Sequence, residues 1–454
     1  MSGSRPTAYV NARLVDPESG YDGRGALVVV DGLIAEVVRK SRIEAASPDL
    51  ELVDCGGAVL APGLIDIRVK TGEPGAETKE TLKSAARAAA AGGVTSIVVQ
   101  PDTDPAIDDP AMVDFILRRS RDIGLVHVYP AGAATKGLNG AEMAEIGLMH
   151  EAGAVYVTDA DRSILDSRVL RRVMTYARGF DTLVAHRPAD PHLMEGASAT
   201  EGEFAGRLGI PSGPAIAERI MLERDLALAE LTGARLIVDQ VTTADALDSL
   251  SRAKLNSLQV WATASINHLS FNELDIGDYR TFCKLNPPLR REEDRQALIE
   301  ALGNGLIDIV VSAHAPAPAE DKRLPYDEAT PGAVGLETLL PALLALHHEG
   351  RGSLVDLLRK VTLAPAELLG LKAGRLAKGA PADLVLCDIK APIVIDADRL
   401  TSKSKNSPFD GRRLQGKVLR TVVSGRTVFE AEVDSSPPLA GERKGPADQR
   451  SVGR

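Results

Sequence analysis

Short apolar runs alternate with longer amphipathic stretches through the middle of the chain. Eight such runs stand out, at 64–70, 94–100, 125–130, 154–158, 182–186, 235–241, 258–263 and 307–312. Segments of helical period separate them, among them 79–91, 110–121, 165–178, 215–231 and 244–254. Strands that are apolar throughout and separated by helices imply a parallel sheet covered on both faces. Eight successive β-α units predict an α/β protein built on a closed (β/α)8 TIM-like barrel over residues 62–369. Its last helical segments lie at 334–346 and 355–369.

Both ends of the chain read differently. Apolar runs at 26–30 and 33–38 flank Asp31-Gly32, a strong hairpin signal. Strand character returns at 382–387 and 417–428. Residues 1–61 and 370–433 are therefore expected to meet in one small β-sandwich. Residues 434–454 are rich in Pro, Gly and charge and read as a mobile tail.

Composition narrows the function classes. Hydrophobic residues make up 44 % of the chain, enough for a large core. A net charge of −10 with 3 % aromatics argues against nucleic-acid binding, which needs basic patches and stacking rings. Cys55, Cys283 and Cys387 form no CxxC pair, so neither a disulfide framework nor a thiolate zinc site is expected. The start of the chain lacks the apolar core of a signal peptide, and no apolar run reaches spanning length. A cytoplasmic protein without membrane contact is the expectation.

Barrels of this kind carry their chemistry at the C-terminal ends of the strands. Those ends hold Asp66, Arg68 and Lys70, then Asp102, then Asp159 and Asp161, then His186 and Arg187, then Gln240, and finally Ala313 and His314. Titratable groups are plentiful there, but only two of the chain's 8 histidines are among them.

The segment APGLIDIRVKTGEPGAETKET, from Ala61, resembles the first-strand motif P-G-x-I-D-x-H-V-H-x-R-E-P-G of dihydroorotases. Four further segments match that family in order. They are KLNPPLR from Lys284, HAPAPAEDK from His314, GRLAKGAPADLVLCD from Gly374 and SKSKNSPFDG from Ser402. Hydantoinases and allantoinases share the fold but fit the KNSPF segment less well.

The resemblance implies a binuclear zinc site whose bridging hydroxide attacks a ring amide, with a strand-eight aspartate shuttling the proton. Carried over residue by residue, most of that machinery is replaced. The paired first-strand histidines fall on Arg68 and Lys70, and the substrate-gripping arginine falls on Gly72. The substrate asparagine falls on Asp102. The bridging carboxylate of strand four falls on Ala160, flanked by Asp159 and Asp161. Strand five keeps His186, and the strand-six histidine falls on Gln240. The strand-eight aspartate falls on Ala313 and the second histidine of the next motif on Ala317. Asn286 and Arg290 keep their family identities.

One of six expected metal ligands is thus clearly kept, so no metal and no other cofactor is expected. Arg68 and Lys70 read as side-chain cations standing where metals would, paired with Asp102, Asp159 or Asp161. His186 and His314 read as locally hydrogen-bonded, and His127, His150, His192, His268, His347 and His348 offer no replacement set. Three functions remain open. The first is a non-catalytic dihydroorotase-like structural partner of aspartate carbamoyltransferase, expected as a homodimer. The second is an active cyclic-amide hydrolase, acting on dihydroorotate, with an atypical site. The third is a small-molecule sensor that keeps the pocket.

Overall fold

The computed structural model describes residues 6–39 and 50–432, so the expected tail at 434–454 lies outside the described residues. Eight parallel strands form the central barrel: Leu64–Val69, Val94–Val99, His127–Pro130, Val157–Thr158, Val184–His186, Leu236–Val238, Val260–Ser265 and Ile309–Val311. Neighbours pair in chain order, with Gly132–Ala133 carrying the third strand across to the fourth. Closure comes from a parallel bridge between Val69 and His314, and the Lys70 N–H donates to the His314 carbonyl at 2.8 Å. The first two strands are buried along their whole length, which explains their unbroken apolar sequence. Ile65, Ile67, Val98, Ile237, Ile309 and Val311 belong to one buried cluster, so the barrel has a packed core rather than a pore.

Two expected elements are divided, each for a local reason. The helix expected at 355–369 splits into Leu354–Arg359 and Leu363–Leu369. Pro365 has no N–H to donate, and its ring would meet the Val361 carbonyl in a continuous helix. The carbonyls released by the break are not wasted: Val361 accepts from the Ile65 N–H at 2.7 Å and Lys360 from Val310 at 3.1 Å. The broken helix thereby seals the bottom of the barrel. The strand expected at 417–428 splits into Arg413–Val423 and Arg426–Glu430 around Ser424-Gly425, whose φ values are 47° and 75°. Two left-handed residues in a row are what a tight hairpin requires. Asp31-Gly32, at 48° and 79°, is a second such turn.

The two chain ends share one hydrogen-bonded sheet. Its order runs Arg426–Glu430, Arg413–Val423, Leu384–Val394, Val59–Pro62, Thr7–Asp16, Tyr21–Val30, Leu33–Arg39, with Glu51–Asp54 beside Thr7–Asp16. Val59–Pro62 joins the halves, running parallel to one neighbour and antiparallel to the other. Tyr9, Leu14, Leu27, Ile34, Leu384 and Val422 give this β-rich domain its own core. Among the described residues no helix is long and apolar enough to cross a membrane.

Candidate functional site

A cavity of about 310 Å³ opens at the C-terminal ends of the strands. Arg68, Lys70, Gly72, Asp102, Gln240, Asn286 and Ala313 line it, together with Asp161. Of the positions singled out from sequence, Asp159, Ala160, His186, His314 and Ala317 do not line it.

Side-chain charge organises the mouth. The Arg68 guanidinium, only 3 % exposed, spans two carboxylates: Nε donates to Asp239 at 2.7 Å and Nη2 to Asp161 at 2.6 Å. Lys70 Nζ lies 2.5 Å from Asp161 and 2.6 Å from Asp102. Arg187 donates to Asp161 at 2.7 Å and, through its other terminal nitrogen, to Asn286 Oδ1 at 2.7 Å. The Gln240 amide rests on the same Arg68 guanidinium and, with its oxygen turned inward, accepts at 3.0 Å.

Burial opposes charge on Arg68, Lys70, Asp161 and Arg187, while their oppositely charged partners favour it. Desolvation pulls Arg68 down, yet Asp239 and Asp161 outweigh it and hold the guanidinium above its ordinary pKa. Desolvation of Lys70 is likewise overcome, by Asp102 and Asp161. Asp161, against its own burial, is held well below the usual carboxylate range by Lys70, Arg68 and Arg187. For Arg187 burial wins, and its pKa is lowered.

Asp159 does not pair with either first-strand cation, contrary to one of the expected pairings. It accepts from the backbone N–H of Thr135 at 2.8 Å and from the Thr135 hydroxyl, and burial raises its pKa in spite of those bonds. Asp239, which sequence reasoning missed, is the second anchor of Arg68. The signal lay in the sequence: an acid at a buried strand end, beside Gln240, needs a cation.

His186 is turned away from the cavity. Its Nδ1 lies 2.6 Å from Asp225, and Nε2 accepts from the Ile164 N–H at 2.8 Å, which places the ring proton on Nδ1. His314 Nδ1 accepts from the Gly335 N–H at 3.2 Å, with Nε2 at 3.7 Å from Glu80. Ala317 donates its N–H to Asn406, whose amide also clasps the Ala315 and Gly332 carbonyls. That clasp explains the NSPF segment as a staple on the strand-eight loop. Arg290 is buried against Thr242, Thr200 and Glu218.

Gly72 has no room for any side chain. A Cβ there would stand 1.8 Å from the Ala76 carbonyl oxygen. Ala160, Gln240 and Ala313 carry left-handed backbone, with φ of 53°, 60° and 51°. Non-glycine residues are rarely held this way, and such strain concentrates at functional sites.

Comparison with known proteins places this geometry. The family model described as Dihydro-orotase-like matches residues 57–246, and that of the Amidohydrolase family matches residues 215–428. A dihydroorotase of Anaplasma phagocytophilum is 41 % identical over 428 residues, covering 94 % of this chain and 95 % of the relative. This chain belongs to the dihydroorotase family. A dihydroorotase of Anaeromyxobacter dehalogenans is also 41 % identical, over 92 % of this chain and 97 % of its own. The L-hydantoinase of Arthrobacter aurescens superposes with a TM-score of 0.82 at 27 % identity, over 93 % of this chain and 96 % of that one. The dihydropyrimidinase of Brevibacillus agri, at 20 % identity and a TM-score of 0.79 over 94 % and 95 %, shares the fold.

The zinc that the dihydroorotase resemblance implies does not suit these donors. Cationic Arg68 and Lys70 have no lone pair to offer, Ala313 has no ligand atom, and both nitrogens of His186 are engaged away from the cavity. Among the described residues no group of three or more His, Cys, Asp or Glu is placed to hold a metal ion.

Proposed function

We propose that this member of the dihydroorotase family belongs to de novo pyrimidine biosynthesis without hydrolysing dihydroorotate itself, and serves as a structural partner of aspartate carbamoyltransferase. One observation carries the reading: the two first-strand positions where the resemblance puts metal-binding histidines hold Arg68 and Lys70, each ion-paired to carboxylates. Ala313 at the shuttle position and the sealed Gly72 support it, since proton transfer and carboxylate grip are lost together. The proposed form is a homodimer that binds the transferase in the cytoplasm.

The test is co-expression with the transferase, followed by gel filtration and a dihydroorotate assay. Co-elution without turnover above background is expected. Separate elution with unchanged transferase stability would sink the partner role. The relatives' shared name, dihydroorotase, favours a second reading in which the chain is an active hydrolase with an atypical site. Turnover that His186→Ala abolishes, with zinc bound in stoichiometric amount, would establish that reading instead.

A further inference from the structure

The mouth repeats the connectivity of a two-cation centre with side chains in the cation places. Asp161 lies between Arg68 and Lys70, using one oxygen for each, at 2.6 and 2.5 Å. Each cation then has a second carboxylate of its own, Asp239 for Arg68 and Asp102 for Lys70. Arg187 adds a third cation on Asp161. Three positive side chains therefore meet three carboxylates, and the cluster is charge-balanced without any added ion. Arg68 and Lys70 repel one another, so the acid between them is what allows both to stay charged in a confined site.

We infer that the protonated side chains of Arg68 and Lys70 occupy the cation places of this barrel, so that the mouth is held together metal-free and divalent ions are shut out while they are present. The two places differ in access. Arg68 is 3 % exposed, whereas Lys70 is 18 % exposed and lines the cavity. Lys70 is therefore the cation whose place an ion from solvent can reach. Removing its ammonium leaves oxygens of Asp102 and Asp161 facing a common point once 2.6 and 2.5 Å away. Hard divalent ions such as Mn²⁺ accept paired carboxylates of this kind and complete their shell with water. This inference goes beyond the partner role and would stand if the chain bound no transferase.

The experiment uses the full chain in two forms, wild type and Lys70→Ala. Metal analysis of the purified wild type is expected to find no stoichiometric zinc, and its thermal melts with EDTA, zinc chloride or manganese chloride are expected to superimpose. Lys70→Ala should melt lower, and manganese should return part of the loss. Lys70→Ala/Asp102→Asn should lose the manganese response. Stoichiometric zinc in the wild type, or a wild-type melt lowered by EDTA, overturns the inference. So does a folded Lys70→Ala that ignores manganese. Should Lys70→Ala fail to fold, the metal content and melts of the wild type still decide. Stoichiometric zinc would count against both this inference and the non-catalytic part of the proposed function, whereas co-elution with the transferase tests the partner role alone.

Discussion

At the bottom of the barrel, strand ends are tied by backbone. Ile65 and Val310 donate to the Val361 and Lys360 carbonyls at the break in the helix, and Leu368 joins the barrel's inner cluster beneath them. At the mouth, strand ends are tied by side-chain charge: strands one, four, five and six meet through Arg68, Asp161, Arg187 and Asp239. The difference lies in how each end tolerates change. A backbone seal accepts most side chains of suitable size. A charge lattice fails when one member is removed, because the partner stays buried and unpaired. The mouth of this chain is held closed by one charge-matched set, Arg68, Lys70 and Arg187 against Asp102, Asp161 and Asp239.

The largest expected effect breaks the lattice at its centre. Arg68→Met strands Asp239 and weakens Asp161, and should cost about 3–5 kcal/mol in urea unfolding. Arg68→Met/Asp239→Asn should recover part of that loss, because the buried charge goes with its partner. Leu368→Ala at the bottom removes apolar packing and should cost about 2–4 kcal/mol, with no polar companion able to restore it. If the Arg68 and Asp239 losses simply add, the mouth is packed rather than charge-locked, and the contrast between the two ends collapses.

These two ends also differ in how well the sequence announces them. All eight barrel strands lie within a few residues of the apolar runs, because strands buried on both faces leave an unbroken hydrophobic signature. Breaks were harder to see. The Pro365 interruption and the Ser424-Gly425 turn sit inside patterns that stay apolar across them. At the mouth, the motif singles out Arg68, Lys70, Gly72 and Ala313 as departures from the family pattern, but it shows their partners only in part. Arg68 and Asp239 are 171 residues apart, and no local pattern links residues at that separation. Asp159 and Asp161 are equivalent by spacing; only the Thr135 loop, which takes Asp159 for its own backbone, tells them apart. That His186 faces Asp225 instead of the cavity depends on a helix residue 39 positions away.

A smaller effect concerns backbone strain at the mouth. Ala313, with φ of 51°, pays the left-handed cost of about 1–2 kcal/mol with no functional atom to offer. Ala313→Gly removes that strain but adds flexibility to the unfolded chain, worth about 0.4–1 kcal/mol in the opposite direction. A net gain of about 0.5–1 kcal/mol is expected, read as a higher urea midpoint at unchanged slope. The same substitution at an unstrained alanine of the barrel wall, such as Ala86 in the helix Leu82–Ala91, should instead destabilise by about 1 kcal/mol. A loss at both positions would show that the strand-eight backbone is not under strain, and that this feature of the mouth needs another account.

The smallest effect comes from a titratable pair that ties the barrel's lower end to the β-rich domain. His127, at the start of the third strand, lies 3.1 Å from Asp383, and that hydrogen bond raises the imidazole pKa against partial burial. A raised folded pKa gives stability that is fully present below the unfolded value near 6.5 and is lost as pH climbs through the folded value. The mouth behaves oppositely: Asp161, depressed by its cations, gives stability present above the ordinary carboxylate range and lost only as pH falls through its lower folded value. Near neutrality, therefore, the His127–Asp383 tie should respond to pH and the Asp161 ion pairs should not. Lys322, whose burial pulls its ammonium down to about 7, adds a slope of the opposite sign above that point, since the unfolded chain then binds the extra proton. The useful readout is accordingly the difference in urea midpoint between wild type and His127→Gln at each pH. That difference should be largest near pH 6, where it amounts to under about 1 kcal/mol because the imidazole is 35 % exposed and solvent screens the pair, and should shrink as His127 loses its proton. A difference that stays constant with pH would mean that His127 holds Asp383 as a neutral hydrogen-bond donor. The two ends of the barrel would then differ in the strength of their ties but not in their response to pH.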